Sequence, residues 1–499
     1  MTDRRGTSAQ QDQPAGPTSD GGAEQSLTVL WYRDDLRVAD HQALTAARAD
    51  GPVVALWIRE LRDDDGLGPR PLGGAARWWT HRSLEVLREQ LEDLGIPLVL
   101  AAGRAADVVP QVAQGLGATA VRWSRRYAPA SRGLDARLKQ WLGQDGLAVH
   151  SHPGSLLIEP WEVTTGAKEH YKVFTPFWKA ANGRPVGRAL PIPVPQTAPG
   201  GLDERIEGLV SDGVLRDLDS LGLLDGTGTG EGEFASADTP RWWQDTVAEH
   251  WTPGCAAATE QLVELGRAVD GYTDTHDLPA DPHGTARVSP RLRHGELSPR
   301  QLLQAVAEET DLAEVDREAW VRQIFWREFC WNLTYHHDSV ERVPMRPEFE
   351  QFPYESDDEA LEAWRRSRTG VALVDAGMRQ LWCTGWMHNR VRLVTGSFLV
   401  KNLLQPWWDG EQWFWDTLVD ADEANNAVSW QWVAGSGADA APYFRVFNPE
   451  TQRERFDPED AYVRQWTTEQ APSEPIVDLK ASRRRALDAY DVMKERIGR

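Results

Sequence analysis

Gln323, Trp326, Arg327 and Cys330 follow one another at the spacing i, i+3, i+4, i+7, so a helix through Trp320 places an amide, an indole and a guanidinium on one stripe. Such a stripe can hydrogen-bond, stack and pair with an anion; a core Trp326 and a surface ion pair at Arg327 would account for it as well. Asn389, Arg392 and Leu393 share a face of a second helix within GWMHNRVRLVTGSFLVKNLL, with Arg390 beside them. An arginine among so many apolar neighbours needs a carboxylate if it is buried, and Asp420 or Asp422 of LVDADEANN is available. In TARVSPRLRHGELSP, Thr285 and Ser289 flank Arg287 just before a helical run. Small hydroxyls, backbone amides and a cation suit a diphosphate, and a helix cap beside a surface arginine has the same pattern. Eight tryptophans lie between Trp382 and Trp432, as an aromatic core or as a route for electron hopping. His336 and His337 are adjacent, diverge on a helix and have no carboxylate at ligand spacing, so no metal site is expected.

These residues need elements to hold them. From residue 241 to 499 the apolar spacing is helical, as in TEQLVELGRAV, SPRQLLQAVAEE and WVRQIFWREFCWNL, which predicts a large all-α domain. Residues 27–155 read differently. Short apolar runs (LTVLWYR, PVVALWI, IPLVLAAG, TAVRWSRRY, LAVHSHPG) alternate with helix-like stretches, which predicts a doubly wound parallel α/β sheet. Residues 156–240 contain PIPVPQTAPGG and LDGTGTGEGE and read as an inter-domain linker, in which the Gly226, Gly228, Gly230 run is no phosphate loop because no strand leads into it. Residues 1–26 lack large apolar side chains and are expected to form a disordered tail.

Composition excludes several classes. The 499 residues carry 54 basic and 76 acidic side chains, a net −22, which argues against coating nucleic acid through bulk charge. Three cysteines are too few for a four-thiolate iron–sulfur cluster. Neither a membrane span nor the apolar core of a secretory signal is visible, so a cytoplasmic protein is expected. Twenty-four tryptophans exceed what folding asks for and direct attention to redox or stacking chemistry.

Taken in order, WYRDDLRVADHQAL, HYKVFTPFWKA, TARVSPRLRHGELSPRQ, WREF, MRQLWCTGWMHNRVR and WQWVAGSGADAAPYFRVFNP resemble the photolyase/cryptochrome flavoproteins, and most resemble bacterial class I cyclobutane pyrimidine dimer (deoxyribodipyrimidine) photolyases. The resemblance runs from about Leu27 to Trp466. It implies a helical domain that holds a U-shaped FAD and an α/β domain able to hold an antenna chromophore. By position, Tyr272, Thr285, Ala286, Arg287, Val288, Ser289, Trp320, Gln323, Arg327, Arg392, Asp420, Ala421, Asp422 and Asn426 are similar to FAD contacts, with Asn426 opposite flavin N5. Trp430 and Trp407 match the proximal and middle members of an electron relay, and Tyr354 stands at its outer end. His276, Trp326, Asn389, Arg390, Leu393, Trp432 and Gln452 match positions facing the dimer or the DNA, with Trp326 and Trp432 as aromatic walls. The implied activity is light-driven repair: excited reduced FAD gives an electron to a flipped-out pyrimidine dimer, the cyclobutane ring splits and the electron returns. The implied partner is ultraviolet-damaged DNA, met by a monomer with no membrane, its phosphates held by arginines such as Arg291, Arg293 and Arg390.

The sequence departs from the repair pattern at four places. Gln323 replaces a glutamate that bonds the lesion, exchanging a bond of roughly 1.5–3 kcal/mol for one of roughly 0.5–1.5. Leu393 replaces a methionine, His276 an arginine and Tyr354 a tryptophan. The competing reading is a cryptochrome-like blue-light photoreceptor with little repair, which the softened substrate site favours and Asn426 opposes. For the antenna, Arg125, Arg126 and Tyr127 resemble the 8-hydroxy-5-deazaflavin type, while His41 and Gln42 stand where Asn-Pro is usual, leaving methenyltetrahydrofolate or an empty pocket as alternatives.

Overall fold

A computed structural model describes residues 26–225, 246–439, 444–467 and 474–498. The expected tail, apart from Ser26, and the Gly226, Gly228, Gly230 run lie outside the described residues.

Five strands, β1 (Thr28–Tyr32), β2 (Val53–Leu61), β3 (Leu98–Arg104), β4 (Ala120–Ser124) and β5 (Ala148–His152), form one sheet in the order β3-β2-β1-β4-β5. Every pairing is parallel. The sequence dictates this arrangement because β1, TVLWY, is apolar on both faces and buried throughout. Val29 and Trp31 pack under α3 (Ala105–Leu116) and α4 (Pro129–Gln144), while Leu30 and Tyr32 pack under α1 (Gln42–Asp50) and α2 (Gly74–Asp93). Each fully buried aliphatic side chain in these layers is worth about 1.5–3 kcal/mol. The strand order reverses between β1 and β4, and in such sheets the crevice outside the carboxyl ends of the strands is where ligands bind.

The stretch expected to be a linker is more structured than its composition implies. Its Pro191–Pro195 run has no regular element, but α5 (Phe174–Ala181) and α6 (Leu202–Ser211) flank it. Leu202 and Leu209 of α6 join the α3 side of the sheet core, and Phe174, Phe177 and Trp178 of α5 pack on the long helix Glu314–His336. Apolar side chains spaced along a breaker-rich sequence thus bind it to both domains.

Beyond residue 246 every regular element described is helical. A core of Trp364, Trp407, Phe414 and Trp430 lies between the helices Ala372–Thr384, Asn389–Ser397, Trp407–Thr417 and Asn425–Ala434. The two domains meet closely at Gly295, at φ +65°, whose Cα lies so near the Asp34 backbone that any side chain would collide with it. Arg37 donates to the Gly295 carbonyl at 3.0 Å across the same seam. No helix among the described residues is long and apolar enough to cross a membrane.

Candidate functional site

A cavity of about 350 Å³ opens between the long helix Glu314–His336 and the helices Asn389–Ser397 and Asn425–Ala434. All fourteen positions matched to FAD contacts line it: Tyr272, Thr285 to Ser289, Trp320, Gln323, Arg327, Arg392, Asp420, Ala421, Asp422 and Asn426. His276, Trp326, Asn389 and Leu393 share the same lining, as does Trp430. Residues as far apart in sequence as Tyr272 and Asn426, 154 positions, are therefore brought to one cavity by three helices that turn polar stripes inward and by the segments that join them.

One end of the cavity is built for an anion. Arg287 sits at φ +47°, a backbone conformation that turns its side chain beside Trp386, with the guanidinium 4.8 Å from the ring centroid. Its Nε is buried without a hydrogen-bond partner and, among the described residues, it makes no ion pair. A largely buried cation with no carboxylate is costly unless a ligand supplies the charge. Ser289 Oγ donates to Asp420 Oδ2 at 2.7 Å, and Arg392 holds the same carboxylate at 2.8 and 3.1 Å. Between the two candidates for Arg392, the structure selects Asp420. Asp422 instead accepts from the backbone amides of Ala424 and Asn425 at 2.9 and 2.6 Å and so fixes the start of the helix Asn425–Ala434. The donor set, the unpaired Arg287 and the aromatic walls fit the diphosphate and ring of FAD.

Further along, Asn426 Nδ2 donates to Glu411, to the backbone oxygen at 2.9 Å and to Oε1 at 2.7 Å. Gln323 is exposed at the mouth and donates to the Ala319 carbonyl of its own helix at 3.1 Å, which leaves its side-chain oxygen free to accept. Trp326 is stacked on Phe174 from α5, centroids 3.5 Å apart. Arg327 donates to the Ser155 carbonyl at 2.9 Å and faces Glu328, whose carboxyl is pushed up to about 7 because burial outweighs Arg327 and the Ile158 and Leu157 amides.

Several expected site residues lie elsewhere. Trp432 is outside the cavity lining and tilts against Phe447 at 6.3 Å, so only Trp326 of the two expected aromatic walls faces the cavity. Gln452 is half-buried on the helix Pro449–Phe456, also outside the lining. Arg390, outside the lining, is held bidentately by Asp277 at 2.5 and 2.6 Å, and the cavity-lining His276 meets the same carboxylate at 3.3 Å. The assignment of Arg291 and Arg293 to DNA phosphates is overturned: Arg291 pairs with buried Glu296 at 2.6 Å and Arg293 with Asp34 at 2.6 Å, both guanidinium groups enclosed at the domain seam. A string of arginines in sequence carries no sign of which ones tertiary packing will bury.

The relay positions fall into two groups of touching rings in one core. Trp430 borders the cavity and meets Phe414 at 4.9 Å and Trp364 at 6.2 Å. Trp407 is fully buried, touches Trp408 at 5.8 Å, and Trp408 touches Tyr354 at 5.3 Å. Trp386 and Trp408 fall in the tryptophan cluster the sequence singled out but were not assigned individual roles, and Glu411 was not anticipated. Trp386 had a signal, standing in the GWMHNRVR segment beside Asn389; Glu411 had none.

A second cavity of about 790 Å³ lies at the carboxyl ends of β1 and β4, where the strand order reverses. Arg33, Asp35, Ser124, Arg126 and Tyr127 from the sheet face Arg293, Arg327 and Trp415 from the helical domain. His41, by contrast, caps α1 by accepting from the Leu44 amide at 3.0 Å.

A family profile described as DNA photolyase matches residues 28–196, and one described as FAD binding domain of DNA photolyase matches residues 320–474. The chain is 39% identical to the deoxyribodipyrimidine photo-lyase of Agrobacterium fabrum, over 94% of this chain and 98% of that protein. It is 33% identical to cryptochrome-1 of Arabidopsis thaliana, over 89% of this chain and 63% of that one. The crystal structure of a class III photolyase from Agrobacterium tumefaciens matches with a TM-score of 0.86 at 37% identity, covering 96% of this chain and all of that one. The similarity to bacterial photolyases thus extends to class III and does not single out class I.

Proposed function

The chain belongs to the photolyase/cryptochrome family, and from that premise we propose that it repairs cyclobutane pyrimidine dimers in ultraviolet-damaged DNA by light-driven electron transfer. The observation that carries the reading is that one cavity unites a diphosphate-type donor loop, Thr285 to Ser289, with Trp326, Asn389 and Leu393 at its mouth. FAD, when bound and reduced, would supply the light-driven one-electron chemistry. The chain's own residues do the rest.

Thr285 to Ser289, with Arg287 among them, bind and orient the diphosphate, the Arg392–Asp420 pair fixes the wall beside them, and the buried Tyr272 and Trp320 exclude water from the ring systems. Asn426, locked by Glu411, turns its amide oxygen toward the cavity as a fixed acceptor. At the mouth, Trp326 offers a face on which an extruded base stacks, and Gln323 offers a side-chain oxygen to an imide N–H. Extruding the dimer costs a few kcal/mol, least where damage has already weakened stacking. Trp430 borders the cavity, and the contact series Trp407, Trp408 and Tyr354 in the same core supplies the outer members of a route by which electrons hop to it. The larger cavity at the switch of the sheet is the place for an antenna chromophore, of deazaflavin or folate type, because Arg125, Arg126 and Tyr127 line it. Its substrate places the protein in the compartment that holds DNA.

The test is restoration of thymine absorbance when the purified, photoreduced protein is illuminated with a thymine-dimer oligonucleotide, beside a dark control. Light-dependent recovery supports the reading. Flavin reduction without recovery would favour the second reading, a cryptochrome-like photoreceptor, for which the neutral Gln323 and the similarity to cryptochrome-1 are the specific supports.

A further inference from the structure

We propose that Arg70, from the sheet domain, is a positioning residue that fixes which face of the Asn426 amide points into the cofactor cavity. The inference rests on reading that cavity as an FAD site. Arg70 lies in the connection between β2 and α2, and three contacts hold it against the helical domain. Its backbone amide donates to Glu423 Oε1 at 3.0 Å, its guanidinium lies 4.2 Å from the Trp415 ring centroid, and its Nη1 donates to Glu411 Oε1 at 2.7 Å. That same Glu411 oxygen accepts from Asn426 Nδ2, also at 2.7 Å. A single buried carboxylate oxygen therefore joins a cation of one domain to an amide of the other.

A primary amide can present either its oxygen or its NH2 group to a given side by a half-turn about χ2, and only its neighbours decide between them. Here both atoms facing the nitrogen, Glu411 Oε1 and the Glu411 carbonyl, are acceptors, so the oxygen must face the other way, into the cavity that Asn426 lines. The side-chain half of this lock holds while Glu411 is ionised. Its side chain is 2% exposed, and burial pushes its carboxyl up, with Glu341 adding to the push; Arg70 pulls it back. Without Arg70, a protonated Glu411 becomes a donor to the amide oxygen, while the Glu411 backbone carbonyl still favours the original orientation. The lock is thereby weakened, and a fraction of the amides turns and offers NH2 to the cavity. An acceptor opposite a ring nitrogen favours that nitrogen protonated, as N5 is in reduced flavin, whereas a donor favours it unprotonated. Removing Arg70 should shift the bound flavin toward the oxidised state.

The experiment compares the midpoint potential and FAD content of the full-length wild type, Arg70→Ala, Arg70→Lys and Glu411→Leu. Arg70→Ala is expected to weaken the reduced state about tenfold relative to the oxidised, a lowering of about 30 mV for a two-electron couple, with FAD content maintained. Arg70→Lys restores most of it, a rescue that a merely structural contact would not give. Glu411→Leu removes the acceptor oxygen that Arg70 and Asn426 share and lowers the potential in the same sense, so it decides the matter if Arg70→Ala does not fold. The double variant shifts no further than either single one, because both act through the same amide. An unchanged potential in FAD-loaded Arg70→Ala, or in Glu411→Leu, overturns this inference and leaves the FAD site standing. A wild type that purifies without flavin and takes up none overturns the site reading and this inference together.

Discussion

Phe174 and Trp326 lie face to face, ring centroids 3.5 Å apart and planes 9° apart, joining the segment between the domains to the helix that borders the cavity. Phe174 is itself fixed, 1% exposed, its amide donating to Asp439 Oδ2 at 3.0 Å and its ring 5.6 Å from the Arg322 guanidinium. One face of Trp326 is thereby occupied, and the other is what the cavity offers to an extruded base. Phe174→Leu removes the stack while keeping an apolar filler. Affinity for a dimer-containing oligonucleotide, read by fluorescence anisotropy, should fall about three- to tenfold, with FAD content unchanged. Unaltered affinity would sink this role for Phe174.

Trp408 touches both Trp407 and Tyr354, with the Arg342 guanidinium 5.3 Å from its ring. Trp408→Phe should therefore slow photoreduction about tenfold, roughly 1.4 kcal/mol of barrier, and more than Tyr354→Phe does. Transient absorption after a blue flash orders the two variants; equal rates in both would show that the electron bypasses Trp408.

Gln323 bonds its own helix through its side-chain nitrogen and leaves an oxygen at the mouth, so Gln323→Glu gives up one bond to the Ala319 carbonyl on an exposed face and places a charge at the mouth. A charge-assisted bond exceeds a neutral one by about 1 kcal/mol, and repair yield at limiting DNA should rise about fivefold. No gain would mean that this position does not meet the lesion.

Glu328 makes stability depend on pH. Its carboxyl is pushed from the ordinary 4.5 to about 7 by burial, so the folded protein holds a proton that the unfolded chain releases. The stability from this group is present below about 4.5 and is lost as the pH rises through about 7. A lift of that size corresponds to roughly 3 kcal/mol. Thermal melts of Glu328→Gln and wild type should diverge between pH 5 and 8, in the variant's favour at the higher pH, by a few degrees. Parallel melting curves across that range would refute it.

Local pattern made much of the protein legible. The alternation of short apolar runs with helical stretches marked all five strands, most clearly β1, which is apolar throughout because it is buried on both faces. The spacing of Gln323, Trp326 and Arg327, and of Asn389, Arg392 and Leu393, placed these side chains on one cavity because helical periodicity alone sets a shared face.

What the sequence by itself determined is therefore the strands of the sheet, the helical character of the second domain, the faces these elements present and, through the ordered motifs, most of the residues that line the cavity. Tertiary structure alone decided who pairs with whom. Arg291 and Arg293 became buried partners of Glu296 and Asp34, Phe174 of the inter-domain segment came to back Trp326, and Arg70 reached Glu411 across 341 positions of chain. The physical reason is that periodicity is a property of neighbours along the chain, whereas burial, charge pairing and the orientation of an amide are set by whatever side chain folding brings within about 3 Å, and that distance bears no relation to separation in sequence.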